Sequence, residues 1–193
     1  AYLDGKSVLI VAKKLDVLGT LRAQFTGFGS TDINVASSAN MALNMLRIRP
    51  FDFCVIEADL GEQEKNGFQV IEEAVREGLR PATSAFVLIT AESTRSLPKD
   101  SIEFAADTFV SKPIDGQKLR MRMEKLVKLK QAVHPVESLV DSGDYEKALL
   151  LIRKLVAKYA SLEVYLDRLK GRLLLQLNDL EEARAHFQRV VDD

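Results

Sequence analysis

The sequence has no tryptophan, one cysteine and two histidines among 193 residues. With Cys54 alone, an internal disulfide is excluded, and its place inside an apolar run makes a buried thiol the expectation over a reactive one. His134 and His186 stand far apart with no visible partner set, so no metal site is expected. Charge of one sign is also missing: 27 Lys and Arg face 28 Asp and Glu, for a formal net charge of −1. Phosphate-binding surfaces usually leave a clear basic excess, so nucleic acid is not expected as a partner. No apolar run nears the ~20 residues of a membrane helix, and nothing resembles a signal peptide, so a soluble, cytoplasmic chain without a membrane partner is expected. There is no P-loop and no Gly-rich dinucleotide fingerprint. "AKKLDVLG" lacks the Ser/Thr/Gly-rich loop of a flavin site, and no cofactor is expected, though its lysines could attract an anion. The chain begins at "AYLDGK" without methionine, and we expect a piece cut from something longer.

What is there falls into two textures. Up to about residue 120, the apolar runs "SVLIVA" (7–12), "INVAS" (33–37), "FCVIEA" (53–58), "AFVLITA" (85–91) and "TFVSK" (108–112) alternate with amphipathic stretches. Those stretches are "LDVLGTLRAQFTGF", "ANMALNMLRIR", "NGFQVIEEAVREG" and a weaker one around "PKDSIEFAA". Near-continuous apolar strands separated by helices predict a parallel sheet covered on both faces. Five such units suit an α/β, flavodoxin-like, doubly wound five-stranded parallel sheet of order 2-1-3-4-5. In that architecture the chemistry sits in the loops at the carboxyl ends of the strands.

After residue 115 the strands stop and an all-α helical-repeat domain is expected. "SGDYEKALLLIRKLVAKY" (142–159) and "LNDLEEARAHFQRVVDD" (177–193) match at a constant offset of 35. Gly143 pairs with Asn178, Tyr145 with Leu180, Ala148 with Ala183, Ile152 with Phe187, and Leu155 with Val190. A fixed period of this size predicts stacked helical hairpins. Gly143 and Asn178 suit a left-handed position in a tight turn, and small Ala148 and Ala183 allow close helix approach.

The first texture, over about residues 5–127, resembles the receiver domain of bacterial two-component response regulators, the CheY-like fold. The resemblance rests on Thr90 ending the fourth strand, Lys112–Pro113 after the fifth, "NGF" (66–68) opening a third helix, and Glu57 where the family carries its phosphate-accepting aspartate. It implies Thr90 and Lys112 as phosphate-site positions and Phe109 as the switch aromatic. The departures are as informative. Where the family ends its first strand with two acids that help hold Mg²⁺, this chain has Ala12 and Lys13. Magnesium demands an octahedral oxygen set, which a methyl group and an ammonium cannot supply. Glutamate displaces the carboxylate by over ~1 Å relative to aspartate, an error that can cost about 10²-fold in rate. Leu60–Gly61 replace the usual Met-Pro, and "GEQEK" lengthens that loop by about two residues. Asp59 is the rival acceptor, on the opposite side of the strand or in the loop. A receiver without phosphotransfer is expected, with Glu57, Lys112 and Lys13 in one charge cluster; the bland alternative is an ancestral remnant without a role.

The second texture resembles the tetratricopeptide repeat, a unit of two antiparallel helices about 34 residues long. "GDYEKAL" and "NDLEEAR" carry the likeness, with Gly143, Tyr145, Ala148, Gly171, Ala183 and Phe187 at its positions. It implies a surface for another signalling protein. The expected boundaries are 1–127 for the receiver-like domain and 128–193 for an incomplete repeat array. Between them "KLRMRMEKLVKLKQAVHPVESLV" reads as one helix interrupted only at Pro135. Leu119, Leu126, Val133 and Val140 recur every seven residues, with Lys130 and Glu137 interrupting a second row. That seam either packs inside the molecule or forms a homodimer through 117–140. The expected function is a non-enzymatic signal transduction adaptor. The alternatives are a phosphorylatable regulator with a working phosphorelay and a purely structural dimerisation module.

Overall fold

The computed structural model describes residues 2–91 and 106–192; the weaker helix expected around "PKDSIEFAA" falls largely outside them. In chain order the elements are β1 (Ser7–Val11), α1 (Leu15–Gly27), β2 (Asp32–Ala36), α2 (Ala39–Ile48), β3 (Phe53–Glu57), α3 (Gly67–Arg76), β4 (Ala85–Thr90), β5 (Thr108–Ser111), α4 (Gly116–Asp141), α5 (Tyr145–Lys158), one turn of 3-10 helix (Ala160–Leu162) and α6 (Glu163–Asp192). The five strands are parallel in the order β2-β1-β3-β4-β5, as the alternation of textures predicts. The chain divides into two compact units, Ala1–Gln131 and Ala132–Asp193.

Side chains alternate across a strand, so each apolar strand feeds two cores. Val8, Ile10, Val55, Val87 and Ile89 face one core with Leu21 and Phe25 of α1 and Leu119, Met123 and Leu126 of α4. Leu9, Val11, Cys54, Ile56, Phe86 and Leu88 face the other, with Leu43 and Leu46 of α2 and Val70 and Ile71 of α3. This is why β3 is buried at every position and its sequence shows no polar alternation. Leu119 and Leu126 of the sevenfold row are thereby used inside the first unit.

Buried charges pin the rim of this sheet. Arg80 and Asp107 pair at 3.2 Å with side chains 8% and 7% exposed. Asp107 also accepts a hydrogen bond from the Phe86 amide at 2.7 Å. Lys130, which interrupts the second helical row in the sequence, is buried and donates to the carbonyls of Ala82 (2.7 Å) and Ser84 (3.2 Å). The long aliphatic stem lets a lysine cross an apolar face and deliver its ammonium to loop carbonyls.

The second unit departs from the expected repeat. Gly143 adopts φ +80° after α4 and closes the turn, with its amide on the Val140 carbonyl at 3.0 Å and that of Asp144 on Leu139 at 2.9 Å. Ala148 and Ile152 of α5 are buried, with Tyr145 half-buried. The matching turn at Asn178 does not form: α6 runs unbroken through it, and Asn178 donates to Glu182 one turn on at 3.2 Å. Glycine takes a left-handed conformation without steric penalty, whereas asparagine costs a helix less than 1 kcal/mol and is outvoted by its Leu, Glu and Arg neighbours. Gly171 lies inside the same helix with open space beside it, and the Ala183 side chain is outside the described ones. α4 likewise continues through Pro135. Glu137 is buried and accepts from the Tyr165 hydroxyl at 2.6 Å. Among the described residues no helix is long and apolar enough to cross a membrane.

Burial pushes the Cys54 thiol far above its ordinary pKa. At pH 8 the folded protein should therefore leave a thiol reagent essentially unconsumed, and urea should release one reactive equivalent; rapid labelling of the native chain would contradict this packing.

Candidate functional site

Because every strand is parallel, their carboxyl ends share one edge. Ala12 follows β1, and its amide bonds to the Ala36 carbonyl at 3.1 Å. Glu57 is the last residue of β3, opposite Ile89, and the Ala58 amide extends the ladder to the Ile89 carbonyl at 2.8 Å. Thr90 ends β4 opposite Ser111, and its carbonyl accepts from the Lys112 amide at 2.7 Å. The sheet register alone brings residues 12, 57, 90 and 112 to neighbouring strand ends.

Glu57 is buried, 2% exposed, and held from two sides. Its Oε1 lies 2.6 Å from the Lys112 ammonium. That approach misses the angles of a hydrogen bond, so the contact is a close ion pair rather than an aligned donor–acceptor bond. Its Oε2 accepts from the backbone amide of Lys13 at 3.3 Å. The ammonium of Lys13 goes elsewhere: a Cβ built on Gly61 would lie 2.5 Å from Lys13 Nζ. The expected three-charge cluster is thus one carboxylate, one ammonium and one backbone N–H. Lys13 is exposed, where a long cation keeps its hydration, and this explains why its tip swings out over the loop.

The loop after β3 is drawn tightly to the site. Asn66 caps α3 in a reciprocal pair with Gln69, at 2.9 Å in both directions. Next, the Gly67 amide bonds to the Ala58 carbonyl at 2.9 Å, and a Cβ at Gly67 would run into the Glu57 carbonyl oxygen. Only glycine fits so close an approach. Asp59 lies in the loop, exposed, with its carboxylate accepting from the Gly61 amide at 2.9 Å. Phe109 is half-buried against the α2–α3 core, opposite Leu88. Beside Lys112 an open cleft of about 290 Å³ is lined by Lys14, Asp16, Val17, Thr20, Pro113 and Ile114.

These residues do not fit magnesium. The Ala12 methyl is fully buried at the first strand's end, Lys13 brings a cation nearby, and the buried Glu57 carboxylate is already paired with Lys112. A divalent ion needs several oxygen ligands in near-octahedral array. Among the described residues no three His, Cys, Asp or Glu side chains gather as ligands.

Residues 8–124 match the response regulator receiver domain. The chain belongs to that family. A curated relative, the transcriptional regulatory protein CiaR of Streptococcus pneumoniae, is 34% identical over 74 residues, 38% of this chain and 32% of its own length. The chain thus spans about a third of that relative. Among solved structures, the receiver domain protein (CheY-like) of Methanospirillum hungatei shares 18% identity at TM-score 0.54, covering 65% of this chain and 96% of that one. The receiver domain (CheY-like) of Methylobacillus flagellatus shares 22% at TM-score 0.54, covering 62% and 97%. NtrX of Brucella abortus shares 18% at TM-score 0.60, covering 69% of this chain and 29% of its own. These structures share the receiver fold.

Losing Lys112 leaves a carboxylate in the site without its cation. Lys112→Met should lower stability by about 1–3 kcal/mol, below the 3–5 typical of a broken buried pair because the Lys112 side chain is 36% exposed. Glu57→Gln removes the charge itself and should cost less. Urea midpoints compare the two, and the reverse order would contradict the pairing.

Proposed function

We propose that this receiver works without phosphotransfer, as a pseudo-receiver held in one state by the Glu57–Lys112 pair and coupled to helices that bind another signalling protein in the cytoplasm. The observation that carries the reading is the pair itself. A resident carboxylate occupies Lys112, the lysine that the family resemblance assigns to phosphate, at 2.6 Å. A charge-assisted contact in a cleft from which one partner is almost wholly removed from water is stronger than a surface pair, though desolvation offsets part of the gain.

Three further features support it. Ala12 offers no oxygen where the family has a metal-binding acid, and Lys13 opposes a divalent ion near the site. The extra methylene of Glu57 extends its carboxylate toward Lys112. Asp59, the other carboxylate of the loop, is exposed and already used by the Gly61 amide. The output is then an interaction rather than a reaction, with helices 132–192 as the surface that a protein partner reads.

Incubation with acetyl phosphate and Mg²⁺ followed by intact-mass measurement tests this. Unmodified protein is the expected result; stoichiometric phosphorylation of Glu57 or Asp59 would overturn the reading in favour of a working phosphorelay. Supplying the family's acids should create a metal site: the triple variant Ala12→Asp, Lys13→Asp, Glu57→Asp should bind Mg²⁺ at millimolar levels by calorimetry, and the parent should give no heat of binding.

A further inference from the structure

An asparagine side chain is open to attack by the backbone nitrogen of the residue that follows it, and a glycine there leaves the approach unhindered by a Cβ. Asn34, Asn40, Asn44 and Asn178 are followed by Val, Met, Met and Asp; Asn66 alone is followed by glycine. Asn66 is exposed, and so are residues 62–65 of the loop before it, so water and hydroxide reach its carboxamide. The bonds around it act the other way. Asn66 Oδ1 accepts from the Gln69 amide and Gln69 Oε1 accepts from the Asn66 amide, both at 2.9 Å, which turns the carboxamide toward residue 69 and away from the Gly67 nitrogen. The Gly67 N–H is itself committed to the Ala58 carbonyl at 2.9 Å. Asn66 is extended, at φ −77° and ψ 171°, and closing a five-membered ring onto the Gly67 nitrogen requires rotation about that ψ. Gly67 is buried against the Glu57 and Ala58 backbone, where even a Cβ would collide, so it cannot shift to meet the carboxamide.

We propose that Asn66 is a site of spontaneous deamidation held closed by the folded β3–α3 junction, so that its modification follows the opening of that junction. When the junction opens, the Gly67 nitrogen gives its proton to hydroxide and bonds to Asn66 Cγ. The Cγ–Nδ2 bond breaks, Nδ2 takes a proton from water, and ammonia leaves. Water then adds to either carbonyl of the cyclic imide and yields a carboxylate, as aspartate or as isoaspartate. The two products differ in consequence. Aspartate keeps a capping oxygen and places a negative charge at the start of α3, where the helix dipole favours it. Isoaspartate inserts a methylene into the backbone between residues 66 and 67, so the Gln69 pair and the Gly67–Ala58 bond can no longer form together. α3 then loses its hold on the strand end that carries Glu57.

Peptide mass spectrometry of the full chain, aged in mildly alkaline buffer with and without urea, tests this, and its outcome is independent of whether the receiver accepts phosphate. In urea, Asn66 should be the first asparagine to gain one mass unit. In the folded chain the same change should be at least about tenfold slower, because it waits on local opening. Amide hydrogen exchange supplies the second readout: the Gly67 N–H should be protected, and its protection should match the slowing of deamidation to within about an order of magnitude. Gln69→Ala removes one side of the capping pair and should speed both processes together, with circular dichroism showing that the fold is kept. Equal rates in the folded and unfolded chain, another asparagine reacting first in urea, a Gly67 amide that exchanges freely, or a folded Gln69→Ala variant that ages and exchanges like the parent would each overturn the proposal.

Discussion

A carboxylate almost wholly removed from water at the edge of a parallel sheet needs a compensating cation, and Glu57 finds one in Lys112 at 2.6 Å. Much of the first unit can be traced to that contact. Five strands in register bring the two residues to neighbouring positions, β4 lies between their strands, and the Lys112 amide is anchored on Thr90. Gly67 lets α3 press against the Glu57 backbone, closing the site from the loop side. The backbone amide of Lys13 supplies the remaining donor. The result is a receiver strand edge whose central charges already satisfy one another.

The same edge explains why chemistry and architecture can separate. A receiver fold depends on the two cores that its strands feed, and those depend on Val, Ile, Leu and Phe, not on strand-end acids. Ala12 joins the apolar core at the end of β1 and Lys13 is exposed, so neither residue at this strand end puts a charge into the core. What changes is the electrostatic content of the rim: one methyl and one outward-turned ammonium where a divalent ion would need oxygens. Stability and site chemistry thus rest on different residues of the same strands.

Much of this was legible in the sequence because burial on both faces writes continuous apolar runs, and β3 with its terminal Glu57 is the clearest case. The Glu57–Lys112 pair was readable through the receiver resemblance, which implies both residues as site positions at the strand ends. The direction of the Lys13 side chain was not: residue type told of a cation, but only the loop conformation at Gly61 decides where an exposed ammonium rests. Lys130 read as a break in an apolar row, when its stem is buried and its tip serves two loop carbonyls. Asn178 misled in the opposite way. It matched Gly143 in the repeat register, yet a residue that merely tolerates a turn does not impose one on a segment of strong helix formers.

The central claim is that Glu57 and Lys112 already fill the electrostatic role that a phosphoryl group and its metal would take. Amide nuclear magnetic resonance with Mg²⁺ and beryllium fluoride, a phosphoryl mimic, tests this most directly. The account predicts that the amides of Lys13, Ala58, Thr90 and Lys112 keep their positions throughout the titration. Saturable shifts focused on those amides would contradict it.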